Sequence, residues 1–306
     1  MKNVLEWLEA TVEKYPDKPA FSDTESSITF RQVYDIARNT GAYLVEQLGV
    51  DRTPVAVFAG RKMVTPAYFL GVVYAGRPYA PIDASLPDKR IEKILENLCP
   101  RAIVADRESL EHVESIVDEL AKTEGFDRPQ IFVAEDISRF EQVACADSNY
   151  KISESAGDAV TDSENDTDGG VVAGCAGKTD DSSRDMLAVV RRQMSMTDPL
   201  YIIYTSGSTG NPKGVMTSHL SLMTYINAYC DVMHIDESDV LGNQSPLDYI
   251  AAIRDIYLPL KTGCSTAIIP KEYFMEPNAL FDYMNDKKVS SVGWSVSAFT
   301  ILTSLG

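Results

Sequence analysis

The chain has 306 residues, 44% of them apolar and 24% charged, enough to bury a sizeable core in one large domain or two ordinary ones. Its 28 Lys and Arg against 45 Asp and Glu give a formal charge of −17. That balance argues against nucleic acid as a partner, because such binding neutralises phosphates with basic side chains, and against an anionic membrane surface.

The first 15 residues carry Glu6, Glu9 and Glu13 among apolar positions. They lack an apolar centre and a small-residue cleavage site, so they do not read as a signal peptide. Apolar runs then alternate with helical patterns. Helices are expected at 30–48, 63–75, 87–97, 109–122, 220–233 and 277–286. Strands are expected at 54–59, 102–105, 130–134, 200–204, 266–269 and 289–294. The strands are mostly unbroken apolar runs, as in strands buried on both faces. The alternation predicts an α/β fold with mainly parallel sheets flanked by helices. No run is long enough to span a bilayer. Five widely spaced cysteines without a CxxC pair fit free thiols in a reducing, cytoplasmic setting.

One stretch breaks the alternation. From about Ala146 to Asp185 the chain is dense in Ser, Asp, Gly and Thr, with ten acids against three bases. Such a segment cannot bury enough apolar surface to offset its ordering entropy. It reads as a disordered surface insertion, either a tolerated loop expansion or a docking element.

The informative segment is LYIIYTSGSTGNPKGV, residues 200–215. Gly207 and Gly210 allow positive φ and close backbone approach. Thr205, Ser206, Ser208 and Thr209 supply rotatable hydroxyl donors. Successive backbone N–H groups in such a turn form a concave anion site, and Lys213 adds a point charge. A strand-to-helix junction, with the next helix starting near Ser218, would add the positive end of a helix. All of this suits a polyphosphate. Neither a GxxxxGK[ST] loop nor a GxGxxG fingerprint is present. A plain Gly/Ser turn with a solvated lysine is the competing reading, and the whole ten-residue string after an apolar strand argues against it.

TSGSTGNPKG resembles the signature loop of the adenylate-forming ligases: acyl-CoA synthetases, luciferase-like enzymes and adenylation domains of nonribosomal peptide synthetases. Three more stretches resemble the amino-acid adenylation branch. They are Ile28-Thr29-Phe30 with Val33, the run GVVYAGRPYAPID from Gly71, and NQSPLDYIAAIRDIYLP from Asn243. The resemblance spans essentially the whole chain. It implies activation of a carboxylic acid by ATP and Mg²⁺ as an acyl-adenylate, with pyrophosphate released, then transfer to a pantetheine thiol, often on a carrier protein. It implies that Thr205, Ser206, Gly207, Ser208, Thr209 and Gly210 cradle ATP phosphates, that Thr205 reaches Mg²⁺, and that Lys213 points its charge toward them. Ser218 is a candidate N-cap, and His219 reads as structural.

The acid pocket is where the sequence departs from the family pattern. The ammonium-binding Asp of amino-acid-activating members falls on Ile250, with Asp248 two residues earlier. Ala251, Arg254 and Gly293 would also face the pocket. An ammonium left unpaired there would cost several kcal/mol, so three readings stay open: an acid without an α-amine, replacement by Asp248, or a site that no longer binds. An inward Arg254 would favour a second carboxylate on the substrate, although an arginine on a helix more often lies at the surface. The family's Tyr-Gly-x-Thr-Glu and Thr-Gly-Asp segments and its lid domain with the catalytic lysine do not occur in the 306 residues. The resemblance therefore implies an N-terminal portion of the large domain, inactive by itself, and no residue here is assigned as catalytic. A non-catalytic protein that binds phosphate or a carrier protein is the reading from another class.

Overall fold

A computed structural model describes residues 2–139, 181–205 and 211–304, with side chains from 186 in the second span. Two mostly parallel sheets are stacked with helices between and outside them. The first is built from β1 (Pro19–Ser22), β2 (Ser27–Thr29), β9 (Val240–Asn243), β10 (Ser265–Ile268) and β11 (Ser291–Val292), in the order β11-β9-β10-β1-β2. The second is built from β3 (Val55–Phe58), β4 (Tyr79–Ile82), β5 (Ala102–Ala105), β6 (Gln130–Val133), β7 (Pro199–Thr205) and β8 (Lys213–Ser218), in the order β6-β5-β3-β4-β7-β8. Among the described residues only the β1–β2 and β7–β8 pairs are antiparallel.

The alternation of side chains along each strand sorts the core into layers. Val55 and Val57 of β3 face one apolar cluster, while Ala56 and Phe58 face another. Ile268 of β10 joins the first, whereas Ala267 and Ile269 join a third. The central layer is filled by α1 (Leu5–Lys14), α2 (Phe30–Leu48), α3 (Thr65–Tyr74) and α9 (Ala252–Thr262), all in the first cluster. Outside the six-stranded sheet lie α4 (Asp88–Leu98) and α5 (Leu110–Leu120). Outside the five-stranded sheet lie a 3-10 helix (Lys271–Met275), α10 (Pro277–Asp286) and α11 (Val296–Ser304). Three further helices complete the described chain, α6 (Ala134–Ser138), α7 (Asp181–Gln193) and α8 (His219–Met233).

Local chemistry explains the boundaries. α2 opens on a full capping box, with Thr29 Oγ1 accepting from Gln32 N–H and Gln32 Oε1 accepting from Thr29 N–H. It stops at Gly49, whose φ of 70° a Cβ would disfavour. α3 is buried on every side, as expected for a helix sandwiched in a core. It begins with Pro66 in its first turn, where the missing N–H has no partner to lose. The parallel α/β architecture agrees with the expectation. The last five residues of the expected insertion belong to α7, and 146–180 lie outside the described residues.

Candidate functional site

Thr205 ends β7 and Lys213 begins β8, directly opposite each other in the ladder. Thr205 Oγ1 lies 3.5 Å from the Lys213 carbonyl oxygen, and both side chains are exposed. Ser206, Gly207, Ser208, Thr209 and Gly210 lie outside the described residues. The hairpin corrects one expectation. The Gly/Ser loop leads into an antiparallel strand, not a helix, so no helix N-terminus contributes at that point. Helix α8 starts directly after β8 ends, where Ser218 Oγ accepts from Ser221 N–H at 3.2 Å, the expected N-cap. His219, the first residue of α8, is 1% exposed and its Nδ1 accepts the Val4 N–H at 3.4 Å. Burial lowers its pKa to about 4, which fits the structural reading.

Beside the hairpin is a cavity of about 380 Å³ bordered by Tyr204, Thr205, Arg90, Asp248 and Tyr249. Arg90 projects from α4, so a guanidinium and the Thr205 hydroxyl border the same space. Tyr204 is fixed by its hydroxyl, which donates to Asn97 Oδ1 at 2.8 Å. Asp248 also borders a second cavity, of about 520 Å³, at the carboxyl ends of β3, β4 and β10. Burial first, and then the nearby charge of Asp83, raise the Asp248 pKa above the usual carboxylate value.

Tyr249, Ile250 and Ala251 form the turn that leads into α9, and Ile250 is half exposed. Arg254 and Gly293, by contrast, are brought into contact. A Cβ at Gly293 would fall 1.7 Å from Arg254 Nη1. Arg254 is not the surface arginine of the usual case. Its guanidinium is mostly buried, lies over the Tyr229 ring at 5.5 Å, and is bound to Asp255 through Nε at 2.7 Å and Nη2 at 2.6 Å. Asp255 is 2% exposed and also accepts from Asn243 Nδ2 at 3.0 Å. Burial raises its pKa, opposed by Arg254 and Asn243. A neighbouring carboxylate thus already compensates the Arg254 charge, which weakens the case for a second carboxylate on a substrate.

Sequence reasoning missed Asn243, Asp255 and Arg61 as a connected set. Arg61 Nη2 donates to the Asn243 carbonyl at 2.9 Å and to its Oδ1 at 3.2 Å. These contacts bring the loop after β3 to the end of β9 and so tie the two sheets together. The available signal was the position of Arg61, Asp83 and Asn243 at strand carboxyl ends, where open α/β sheets place ligand-contacting groups. Among the described residues no group of three His, Cys, Asp or Glu is arranged to hold a metal ion. No helix there is long and apolar enough to cross a membrane. Cys99, Cys230 and Cys264 are free thiols.

The chain is 25% identical over 288 residues to a D-alanine–D-alanyl carrier protein ligase of Bacillus velezensis, covering 94% of this chain and 46% of that one. A ligase of the same name from Bacillus licheniformis is 26% identical over 284 residues, covering 92% and 46%. The chain therefore spans about half the length of the curated relatives it matches. Among solved structures, the nonribosomal peptide synthetase FmoA3 in its α-methyl-L-serine-AMP-bound form aligns with a TM-score of 0.72 at 19% identity, over 99% of this chain and 28% of that one. The N-terminal domain of FACL13 from Mycobacterium tuberculosis aligns with a TM-score of 0.70 at 18% identity, over 99% and 65%. At these identities the structures show a shared fold. The family model described as AMP-binding enzyme matches residues 8–305, and over that span the chain belongs to the AMP-binding enzyme family.

Proposed function

We propose that the protein carrying this chain activates a carboxylic acid with ATP and Mg²⁺, forming an acyl-adenylate and pyrophosphate, and passes the acyl group to a pantetheine thiol on a carrier protein. The observation that carries the reading is the family match over residues 8–305, with TSGSTGNPKG set between β7 and β8. The names of the curated relatives, D-alanine–D-alanyl carrier protein ligases, support an amino acid as the acid and a carrier protein as the acceptor. A cytoplasmic location fits that activity.

Thr205, Ser206, Gly207, Ser208, Thr209, Gly210 and Lys213 would hold the β- and γ-phosphates. Donors fixed in place before the reaction stabilise the charge that builds on the leaving pyrophosphate. The polar border of the smaller cavity, Arg90 and Thr205, fits an anionic group there. Thr205 Oγ1 would reach the Mg²⁺ that accompanies the phosphates. When bound, it neutralises phosphate charge. Asp248, Ile250, Ala251, Arg254 and Gly293 would form one wall of the acid site.

A second reading is an acyl- or aryl-acid ligase for a substrate without an α-amine. It is favoured by Ile250, which offers no charge to an ammonium. Pyrophosphate exchange by the protein carrying this chain separates the two. Exchange with amino acids supports the first, exchange only with amine-free acids supports the second, and none with either overturns both. Lys213→Ala should raise the ATP KM about tenfold and leave the acid KM nearly unchanged, as expected when only the phosphate end loses a contact. An unaltered ATP KM would remove Lys213 from the phosphate site.

A further inference from the structure

One face of α4 runs along the β7–β8 hairpin. Arg90, Lys93, Ile94 and Asn97 stand three and four residues apart, the spacing of a single helix face. Asn97 Oδ1 accepts the Tyr204 hydroxyl at 2.8 Å. Lys93 Nζ donates to Oδ1 of Asn211, just before β8, at 3.3 Å. Arg90 and Ile94 line the 380 Å³ cavity together with Tyr204 and Thr205. Helix α4 is thereby tied to both arms of the hairpin, and its first two turns set a guanidinium and an ammonium beside them.

Neither cation has a counter-ion in contact. Among the described residues no carboxylate lies within 4.0 Å of Arg90 or Lys93. The acids of α4 are engaged elsewhere: Asp88 meets His112 at 3.0 Å, Glu92 meets Lys89 at 3.5 Å, and Glu96 lines a separate cavity beside Cys99. Asp248 is the one acid on the smaller cavity. Burial and then Asp83 raise its pKa, and the Arg90 charge offsets part of that rise from beyond contact distance. With Lys213 at the start of β8, three cations flank the base of the Gly/Ser loop against one acid, in a chain of formal charge −17. Cations gathered at one place in an acidic chain attract an anion. A single carboxylate would answer one of the three, whereas a polyphosphate carries charge enough for all of them.

We propose that Arg90 and Lys93 are phosphate-binding residues, holding the polyphosphate from the α4 side while the hairpin holds it from the other. The inference rests on the proposed ATP chemistry and adds to it two residues outside TSGSTGNPKG. The planar fork of Arg90 suits two oxygens of one phosphate, and Lys93 adds a point charge.

Calorimetry with inorganic pyrophosphate on the protein carrying this chain, at fixed ionic strength, tests it. Arg90→Met should weaken pyrophosphate about tenfold, and Lys93→Met about threefold because that lysine also bonds Asn211. Arg90→Lys should recover part of the loss. Lys89→Met removes one positive charge from the exposed side of α4 and should leave the affinity nearly unchanged. In pyrophosphate exchange Arg90→Met should raise the ATP KM about tenfold and leave the acid KM unchanged. A thermal melt checks that each variant folds, and if Arg90→Met does not, Arg90→Lys and Lys93→Met carry the test. If Lys213→Ala weakens pyrophosphate and the Arg90 and Lys93 variants do not, the inference fails and the ATP reading stands. If the wild-type protein binds no pyrophosphate, both fail. A loss in Lys89→Met equal to that in Arg90→Met overturns the inference, as does a change confined to the acid KM.

Discussion

His219 sits at the start of α8 with 1% of its surface exposed and its Nδ1 accepting a backbone N–H, so the fold holds it neutral. Its folded pKa is about 4, below the value near 6.5 of an unfolded histidine. Between those values the unfolded chain binds a proton that the folded chain does not, so stability falls as pH drops from about 6.5 toward 4. The expected loss is about 2 kcal/mol between pH 7.5 and pH 5. Urea unfolding at the two pH values measures it, and His219→Asn should flatten the difference by that amount. Gly293 is a different single-residue constraint. A methyl group there overlaps Arg254 Nη1, and that guanidinium cannot swing away without leaving Asp255 and Tyr229. Gly293→Ala should therefore cost about 1–3 kcal/mol, the usual range for overpacking. In an Arg254→Ala background the same change should be nearly neutral, and a double-mutant cycle by denaturation reads the difference.

The crossing of α2 and α3 depends on two glycines. A Cβ at Gly41 would come 2.5 Å from Tyr74 Cβ, and one at Gly71 would come 2.5 Å from Thr40 Cβ. Neither obstacle is a flexible side-chain end, so the helices must part. Gly71→Ala should cost about 3 kcal/mol despite the better helix propensity of alanine, which a thermal melt against wild type would show. Elements of this kind were partly legible in the sequence. Helices α2 and α10 have the expected bounds because a capping box and a first-turn proline mark their starts and each has a clear apolar stripe. Strand β4 was missed because Pro81 argues against an inner strand. The structure tolerates it because the β4–β7 ladder is confined to Tyr79 opposite Tyr201. Strand β8 was missed because its residues are largely exposed and it leaves no buried apolar run to detect. Helix α9 was missed because Pro259 interrupts its pattern, yet Pro259 lies in its last turns. The loop motif made Thr205 and Lys213 legible as candidates, and the ladder sets them opposite each other. The Arg61–Asn243–Asp255–Arg254 series was not, because it joins positions from 61 to 255 that only the stacking of the two sheets brings together.

For the molecule as a whole, stacking two parallel sheets turns the carboxyl ends of β3, β4 and β10 toward common space. Asp248, Arg61 and Asp83 line that space, while the opposite strand ends carry structural pairings. At one of those ends Arg77, with a fully buried side chain, caps the Leu48 and Gly49 carbonyls and pairs with Asp51. The same arrangement leaves an edge. Among the described residues β8 closes the six-stranded sheet with only β7 beside it, and Val215 and Met216 on it are 51% and 60% exposed. An outer strand with unpaired backbone groups and exposed apolar side chains is a template for pairing with another chain. The charge of −17 opposes self-association at low ionic strength, but salt screens it within about 10 Å at 0.1 M. Aggregation of this chain should therefore accelerate with added salt. Met216→Lys should slow it several-fold while shifting stability by less than about 0.5 kcal/mol, since the position is exposed and makes no core contact. Light scattering at low and moderate salt, with a parallel thermal melt, measures both effects. Unchanged scattering in the variant would show that association runs through a surface other than β8.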